Sequence, residues 1–523
     1  MKPNHSTIQR LTAAIAAIVA GVTLTACSSA VASTTSTEAS TVSVTSTATS
    51  AAAALADNVA SHAEAGDTEY DAATVTTVTL ADGASKASST TGVSITGDVI
   101  TVSSPGTYVL SGSLSDGQIV VDSDAEGKVR IVLDDASVTS TTGSALVIEA
   151  ADEAVVVLAD GSSNSLADGT GYDTSAEDAP NAALFSMADL TIGGSGSLTV
   201  TGNTNDGIAS KDGLVILGGT ITVTAVDDGI RGKDYLMVAD GTVTVEAKDD
   251  ALKSDNVADD TVGYVLINAG TVTLSAGDDG VHAEGDFAIN DGELTVSTSN
   301  EGLEGSTVTI AGGETSVTAT DDGLNATSGA TTEGGGGGGG GGGMQSDGSL
   351  LTVSGGTLLV NAEGDGLDSN GTITITGGTT VVSGPTGNGN GSLDSNGGLT
   401  MSGGTLVAAG SSGMAEAPAA ASTIGWVSVS FAQPIAAGET VSIVKDGTVL
   451  AAYTTVKQVA SLIVADSDIT SGESYDVYVG GTLSGTTVGT YSDSSDLSGA
   501  TKNATVTAGE HTASGFGGGG PRR

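Results

Sequence analysis

The sequence predicts an all-β chain built as a right-handed parallel β-helix, a solenoid of about 22 residues per turn, with a small antiparallel β unit at its C-terminal end. Three observations lead there. An acidic phrase recurs as Asn205-Asp206-Gly207-Ile208, Asp227-Asp228-Gly229-Ile230, Asp249-Asp250-Ala251-Leu252, Asp278-Asp279-Gly280-Val281, Asn300-Glu301-Gly302-Leu303 and Asp321-Asp322-Gly323-Leu324, at intervals of 22, 22, 29, 22 and 21 residues. Between phrases the chain alternates apolar and polar residues, as in Leu214-Val215-Ile216-Leu217, Gly218-Gly219 and Thr220-Ile221-Thr222-Val223-Thr224, which reads as strand, turn, strand. Nothing in the repeat is long enough for a helical crossover, and aromatics make up only 3% of the chain, which suits a core of aliphatic rows.

Taken in order, residues 1–27 carry Lys2 and Arg10, an apolar run from Leu11 to Val22, and Leu24-Thr25-Ala26-Cys27. This is the pattern of a bacterial secretory signal. Its end looks like a lipobox, with Cys27 as the lipidated residue that ties the chain to a membrane and so to the outer cell surface. The apolar run is too short to span a bilayer. Residues 28–66 are dominated by Ser, Thr and Ala and are expected to be a disordered tether. Residues 67–203 hold less regular strands, expected to cap the solenoid and run into its first turns. The stretch 160–180, with Asp168, Asp173 and Asp178, is expected to leave the solenoid as an acidic loop. A second excursion at 256–263 accounts for the 29-residue interval.

The regular solenoid is placed at 204–414. It is interrupted by an insertion at 328–348 that contains the glycine run Gly334–Gly343, and it ends with two turns that share Leu-Asp-Ser-Asn-Gly, at Leu367 and Leu393. After Ala415-Glu416-Ala417-Pro418 no acidic phrase recurs, and residues 424–495 are expected to form the C-terminal β unit, with 496–523 a disordered tail.

Stacking turns one strand spacing apart, about 4.8 Å, would align the second acids of the phrases: Asp206, Asp228, Asp250, Asp279, Glu301 and Asp322. At about 5 Å and an effective dielectric near 20, each neighbouring pair repels by about 3 kcal/mol. Such a file needs positive charge. Several calcium ions, which take carboxylate and carbonyl oxygens in flexible geometry, are the expected cofactor. Asp227, Asp249, Asp278 and Asp321 complete the candidate ligand set. A single Asp-Gly is ordinary turn chemistry; six in register point to a metal. The nonapeptide calcium roll does not apply, because the period differs.

The chain carries 62 acidic and 15 basic residues, a net charge of -47, which excludes nucleic acid as a partner. The four histidines are scattered, no hydrolase triad or zinc spacing appears, and the glycine run lacks the Lys-Ser/Thr of a phosphate loop. A monomer is expected.

The stretches Gly106 to Leu114, Asp189 to Gly196, Asp227 to Asp234, Asn300 to Gly305 and Asp321 to Ala326, in this order, resemble the secreted carbohydrate-binding family with a polysaccharide-lyase-like parallel β-helix. The resemblance covers roughly residues 70–480. It implies calcium in the helix and binding of cellulose or acidic pectic sugars, without established catalysis. Ala251 departs from the glycine of the motif.

A calcium-loaded binder of polysaccharide, by preference polygalacturonate, is therefore expected. Lys211, Arg231, Lys233 and Lys253 are placed to pair with sugar carboxylates, and Tyr235 to stack on the chain. No catalytic residue is assigned in that reading. A lyase remains open, with calcium acidifying the proton beside the uronate carboxylate and Lys253 as base. A structural adhesin or an ice binder, using rows such as Thr220-Thr222, Thr242-Thr244 and Thr271-Thr273, also remains open.

Overall fold

The computed structural model describes residues 50–176, 178–328 and 346–511. Each regular turn holds three short strands. In one turn these are Ile230–Gly232, Tyr235–Val238 and Thr242–Glu246. Each pairs in parallel with its counterpart on the next turn: Ile230 lies beside Leu252, Leu236 beside Val265 and Thr242 beside Thr271. The strands that follow the acidic phrases form one continuous sheet, from Val93–Thr96 to Leu393–Ser395. The other two files are joined at the N-terminal end by a bent strand, Lys128–Thr139, which pairs first with Glu153–Leu158 and then with Ser163–Ala167.

The sequence pattern explains the packing. In Thr220–Ala225 the side chains of Ile221, Val223 and Ala225 are buried while Thr220, Thr222 and Thr224 face outward, as a half-buried strand of β-branched residues requires. Ile208, Ile230, Leu252, Val281, Leu303, Leu324, Leu367 and Leu393 stack as one interior row, all fully buried. Each contributes about 1.5–3 kcal/mol by leaving water. On the outside, Thr220, Thr242 and Thr271 form one file and Thr222, Thr244 and Thr273 a second, so the threonine ladders exist.

The glycines of the phrases serve packing rather than backbone strain, since none has a positive φ, unlike turn glycines such as Gly219 and Gly241. A Cβ on Gly207 would stand 2.2 Å from Val223 Cγ1, and one on Gly229 would stand 2.2 Å from Val245 Cγ1. Ala251 fits because the file Val223-Val245 continues as Leu274, which is not branched at Cβ. The departure at 251 is thus compensated one strand away.

Three expectations are corrected. Residues 50–66 are not a free tether in the described part. A short helix, Ala51–Ala54, leads into a strap that crosses the outer face of the solenoid. Val59 N–H donates to Thr261 O at 2.8 Å, Tyr264 Oη to Val59 O at 3.0 Å, and His62 N–H to Tyr235 Oη at 2.8 Å. Ser/Thr/Ala composition hides this, because the strap is held by its backbone and by a few polar groups. Second, the stretch 160–180 is not all loop: Ser163–Ala167 is a strand paired with Ser197–Gly202. Asp168 is buried and accepts from Tyr172 Oη at 2.9 Å. Third, the tail begins later, because Thr501–Thr507 pairs antiparallel with Ser474–Val479. Residues 1–49, most of the 328–348 insertion and residues 512–523 lie outside the described residues.

The C-terminal end is closed as expected. Val459–Asp466 pairs antiparallel with the last solenoid strand, Thr405–Gly410, and Gly425–Ile435 lies on its other side. A six-stranded antiparallel sheet packs over these around Ile443, Tyr453, Val464 and Tyr475, and its core takes in Val381 and Val407 from the outer face of the solenoid.

Gly229→Ala is expected to destabilise the protein by about 1–3 kcal/mol, and adding Val245→Leu should recover part of the loss, as at Ala251. Thermal unfolding of the single and double variants checks this.

Candidate functional site

The acids stack as the repeat implies. The N–H of the residue after each second acid donates to the carbonyl of the next second acid: Gly207 to Asp228 at 3.0 Å, Gly229 to Asp250 at 2.8 Å, Ala251 to Asp279 at 2.9 Å, Gly280 to Glu301 at 3.0 Å and Gly302 to Asp322 at 2.9 Å. Gly323 N–H continues the file to Asp365 at 2.8 Å. Some carboxylates also accept from the backbone of the next turn, Asp250 from Asp279 N–H at 2.9 Å and Asp322 from Asp365 N–H at 2.5 Å. The first members form an outer file, Asn181, Asn205, Asp227, Asp249, Asp278, Asn300 and Asp321. In it Asn181 Nδ2 donates to Asn205 Oδ1 at 3.1 Å, and Asn205 to Asp227.

A further file decides the electrostatics. Three residues after each second acid stand Ala209, Arg231, Lys253, His282, Glu304, Asn325, Asp368 and Asp394, paired turn to turn. This file is basic in its first half and acidic in its second.

In the first half the side chains neutralise one another. Asp206, Asp228, Asp250 and Asp279 are at most 6% exposed. Lys253 Nζ lies 2.7 Å from Asp250, 3.2 Å from Asp228 and 3.7 Å from Asp249. Arg231 pairs with Asp255 at 2.5 Å and reaches Asp206 at 4.0 Å. His282 Nδ1 lies 2.9 Å from Asp279 and 3.0 Å from Glu304. Burial lifts Asp206 well above the carboxylate range, with Asp228 adding to it, and pushes Asp228 to about 7 despite Lys253. Burial also raises Asp279. Burial opposes the charge on His282, but Asp279 and Glu304 outweigh it and push the imidazole up to about 11. Lys253 is likewise held above its ordinary value by Asp228 and Asp250 against the effect of burial. Three carboxylates thus hold Lys253 in its protonated form, which opposes its use as a general base.

The second half has no such partner. Glu301, Asp322, Asp365, Asp368, Asp394 and Glu416 gather along the last turns, and no lysine, arginine or histidine lies in a salt bridge with any of them among the described residues. Burial pushes Asp322 to about 6 and Asp365 to about 7. Burial, then Asp322 and Asp394, pushes Asp368 to about 7, and burial with Asp394 pushes Glu416 to about 7. Asn325 donates through Nδ2 to Glu301 at 2.9 Å, while its buried Oδ1 has no partner. The available donors are carboxylates and one amide carbonyl, the all-oxygen set that suits calcium. Three groups already have metal-ligating atoms within 4.8 Å of one another: Asp227, Asp228 and Asp249; Asp250, Asp279 and His282; and Asp279, Glu301 and Glu304. In the first two, Lys253 and His282 occupy the charge-balancing role. In the third, His282 also stands between Asp279 and Glu304, and Glu301 alone has no salt bridge.

The predicted residues thus divide. Asp206, Asp228, Asp250, Asp279, Glu301 and Asp322 lie on the predicted file, and Asp227, Asp249, Asp278 and Asp321 on the outer file beside it. Lys253 and Arg231 are spent on the protein's own acids. Tyr235 is only 4% exposed; it stacks on Tyr264 at 5.1 Å beneath the strap and hydrogen-bonds His62, so it is closed to a sugar here. Lys211 and Lys233 remain half-buried without a partner, and burial, then Arg231 and Lys233, lowers the pKa of Lys211. The sequence reading missed Glu304, Asp365, Asp368, Asp394 and Glu416. The signal was present in the repeated Leu-Asp-Ser-Asn-Gly and in the third position after each second acid.

Residues 96–338 match the family model described as carbohydrate-binding domain-containing protein. A curated protein of that description from Acetivibrio thermocellus is 39% identical over 136 residues, which is 26% of this chain and 48% of the relative, so the chain spans about half the length of that relative. Among solved structures, the polysaccharide lyase-like protein from C. thermocellum, in a gadolinium derivative, is 30% identical over 46% of this chain and 93% of its own, with a TM-score of 0.41. The family match takes in every phrase from Asp206 to Asp322, and the resemblance drawn from those motifs is borne out.

Lys253→Met is expected to lower stability by about 3–5 kcal/mol at pH 8 by leaving buried acids uncompensated. The loss should narrow toward pH 5, where Asp228 is protonated in the fold. Thermal unfolding in chelator across that range measures it, and a variant as stable as the parent at pH 8 would remove Lys253 from this role.

Proposed function

We propose that this chain is a calcium-loaded carbohydrate-binding protein, held at the outer cell surface through a lipid on Cys27, whose ligand is a polysaccharide and by preference an acidic one. The observation that carries the metal is the set of half-buried carboxylates Glu301, Asp322, Asp365, Asp368 and Asp394, which has an unpaired amide oxygen at Asn325 and no salt-bridge partner among the described residues, His282 reaching only Glu304 at its edge. Calcium there supplies positive charge and coordination sites that a sugar carboxylate can share. Glu301, Glu304, Asp322, Asp365, Asp368 and Asp394, with Asn325, are the residues that would hold it. The polysaccharide is supported by the matched family model over residues 96–338. The surface anchor is supported by Leu24-Thr25-Ala26-Cys27, which lies outside the described residues.

A second reading rests on the exposed threonine files through Thr220, Thr242 and Thr271 and through Thr222 and Thr244, which offer a flat, regular lattice of hydroxyls. Such a lattice suits a repeating surface such as ice, and thermal hysteresis reports on it directly.

Calorimetry against neutral and acidic polysaccharides, with calcium and with chelator, tests the main reading. Acidic polymer should bind tightly only with calcium, and no binding to any polysaccharide in calcium would refute it. The metal-free protein has its own pH signature. Asp322, Asp365, Asp368 and Glu416 have folded pKa values raised to about 6 or about 7, so the stability linked to them is full below the unfolded carboxylate range. It is lost as pH rises through 6 to 7. The melting temperature in chelator should therefore fall between pH 5 and pH 8, and calcium at pH 8 should restore it.

A further inference from the structure

We propose that Lys211 and Lys233 form a docking subsite for the carboxylate groups of a uronate-type polysaccharide. This rests on the carbohydrate-binding reading above and assigns its acidic ligand to particular residues. Lys211 and Lys233 occupy the same position on adjacent turns: Lys211 N–H donates to Ser186 O at 2.8 Å and Lys233 N–H to Ser210 O at 3.0 Å. The two lysines therefore stand about one strand spacing apart along the solenoid axis, on which an extended polymer would lie.

Their isolation is the informative fact. In a chain with 62 acids, the neighbouring carboxylates are engaged elsewhere: Asp255 with Arg231 at 2.5 Å, Asp189 with His62 at 3.1 Å, Asp234 with Asn256, and Asp212 with Asp234. The other cations of the solenoid body, Lys128, Arg130 and Lys253, are each held by protein acceptors. Lys86 and Lys248 are also unpaired, but they are fully exposed and solvated. Among the described lysines and arginines, Lys211 and Lys233 are half-buried with no salt bridge to a carboxylate and beside a third cation, and Asp206 and Asp255 act on Lys211 only from beyond pairing distance. Like charges kept partly out of water and close together call for an anion from outside the chain. Three cations are far too few to track a nucleic acid backbone, whereas a polymer with one carboxylate per sugar matches a pair on successive turns.

The experiment uses the full chain in calcium at fixed ionic strength, with polygalacturonate and a neutral β-glucan as probes and circular dichroism and bound calcium as controls. Lys211→Gln with Lys233→Gln should weaken polygalacturonate binding about ten-fold or more and flatten its salt dependence. Neutral glucan binding and calcium content should stay as in the parent, and the Lys211→Arg, Lys233→Arg chain should keep affinity. Parental affinity for polygalacturonate in the folded Gln variant overturns the subsite while leaving the carbohydrate reading intact. Failure of the parent to bind either polymer overturns both.

Discussion

Turn-on-turn stacking in register is the constraint on which the molecule depends. A parallel solenoid sets each residue directly over its counterpart one strand spacing away, so a choice made in one repeat is multiplied along the axis. For apolar residues the multiplication is favourable, and the row from Ile208 to Leu393 forms an unbroken core with almost no aromatic side chains. For carboxylates it is unfavourable, because aligned acids repel at every step in a setting half withdrawn from water.

The two halves of the solenoid meet that difficulty differently. From Asp228 to Asp279 the third residue after each acid supplies a cation, and Arg231, Lys253 and His282 thread between the files. Beyond it the same position carries Glu304, Asp368 and Asp394, which add negative charge, and the neutral Asn325. A buried pair is fixed once formed and contributes chiefly to holding the coil together. Acids left without internal partners keep their coordination capacity for something external, and function is placed there on that ground. The break near His282 thus divides one continuous fold into a part whose acids meet internal cations and a part whose acids mostly do not.

The repeat length, the strand pattern and the file of second acids were all legible in the sequence, because each rests on local periodicity. Ala251 looked anomalous only until its distant neighbour Leu274 was seen. The compensation by Arg231, Lys253 and His282 was harder to read, since it depends on which file a side chain enters rather than on residue type; Arg231 and Lys253 had been assigned to a ligand and His282 to no role. The strap was hidden for a related reason. Residues 50–66 have the composition of a tether, but their backbone groups and His62 find partners on Thr261, Tyr264, Tyr235 and Thr191, contacts that no local pattern announces. Tyr235 was misplaced with them, being an outward residue that another part of the chain covers.

The most direct test is crystallographic: anomalous scattering from calcium in crystals grown with the ion. The account predicts peaks among Glu301, Glu304, Asp322, Asp365, Asp368 and Asp394, and none displacing Lys253 from Asp228 and Asp250. Peaks confined to the stretch from Asp206 to Asp250, or no peak along the files at saturating calcium, would contradict it.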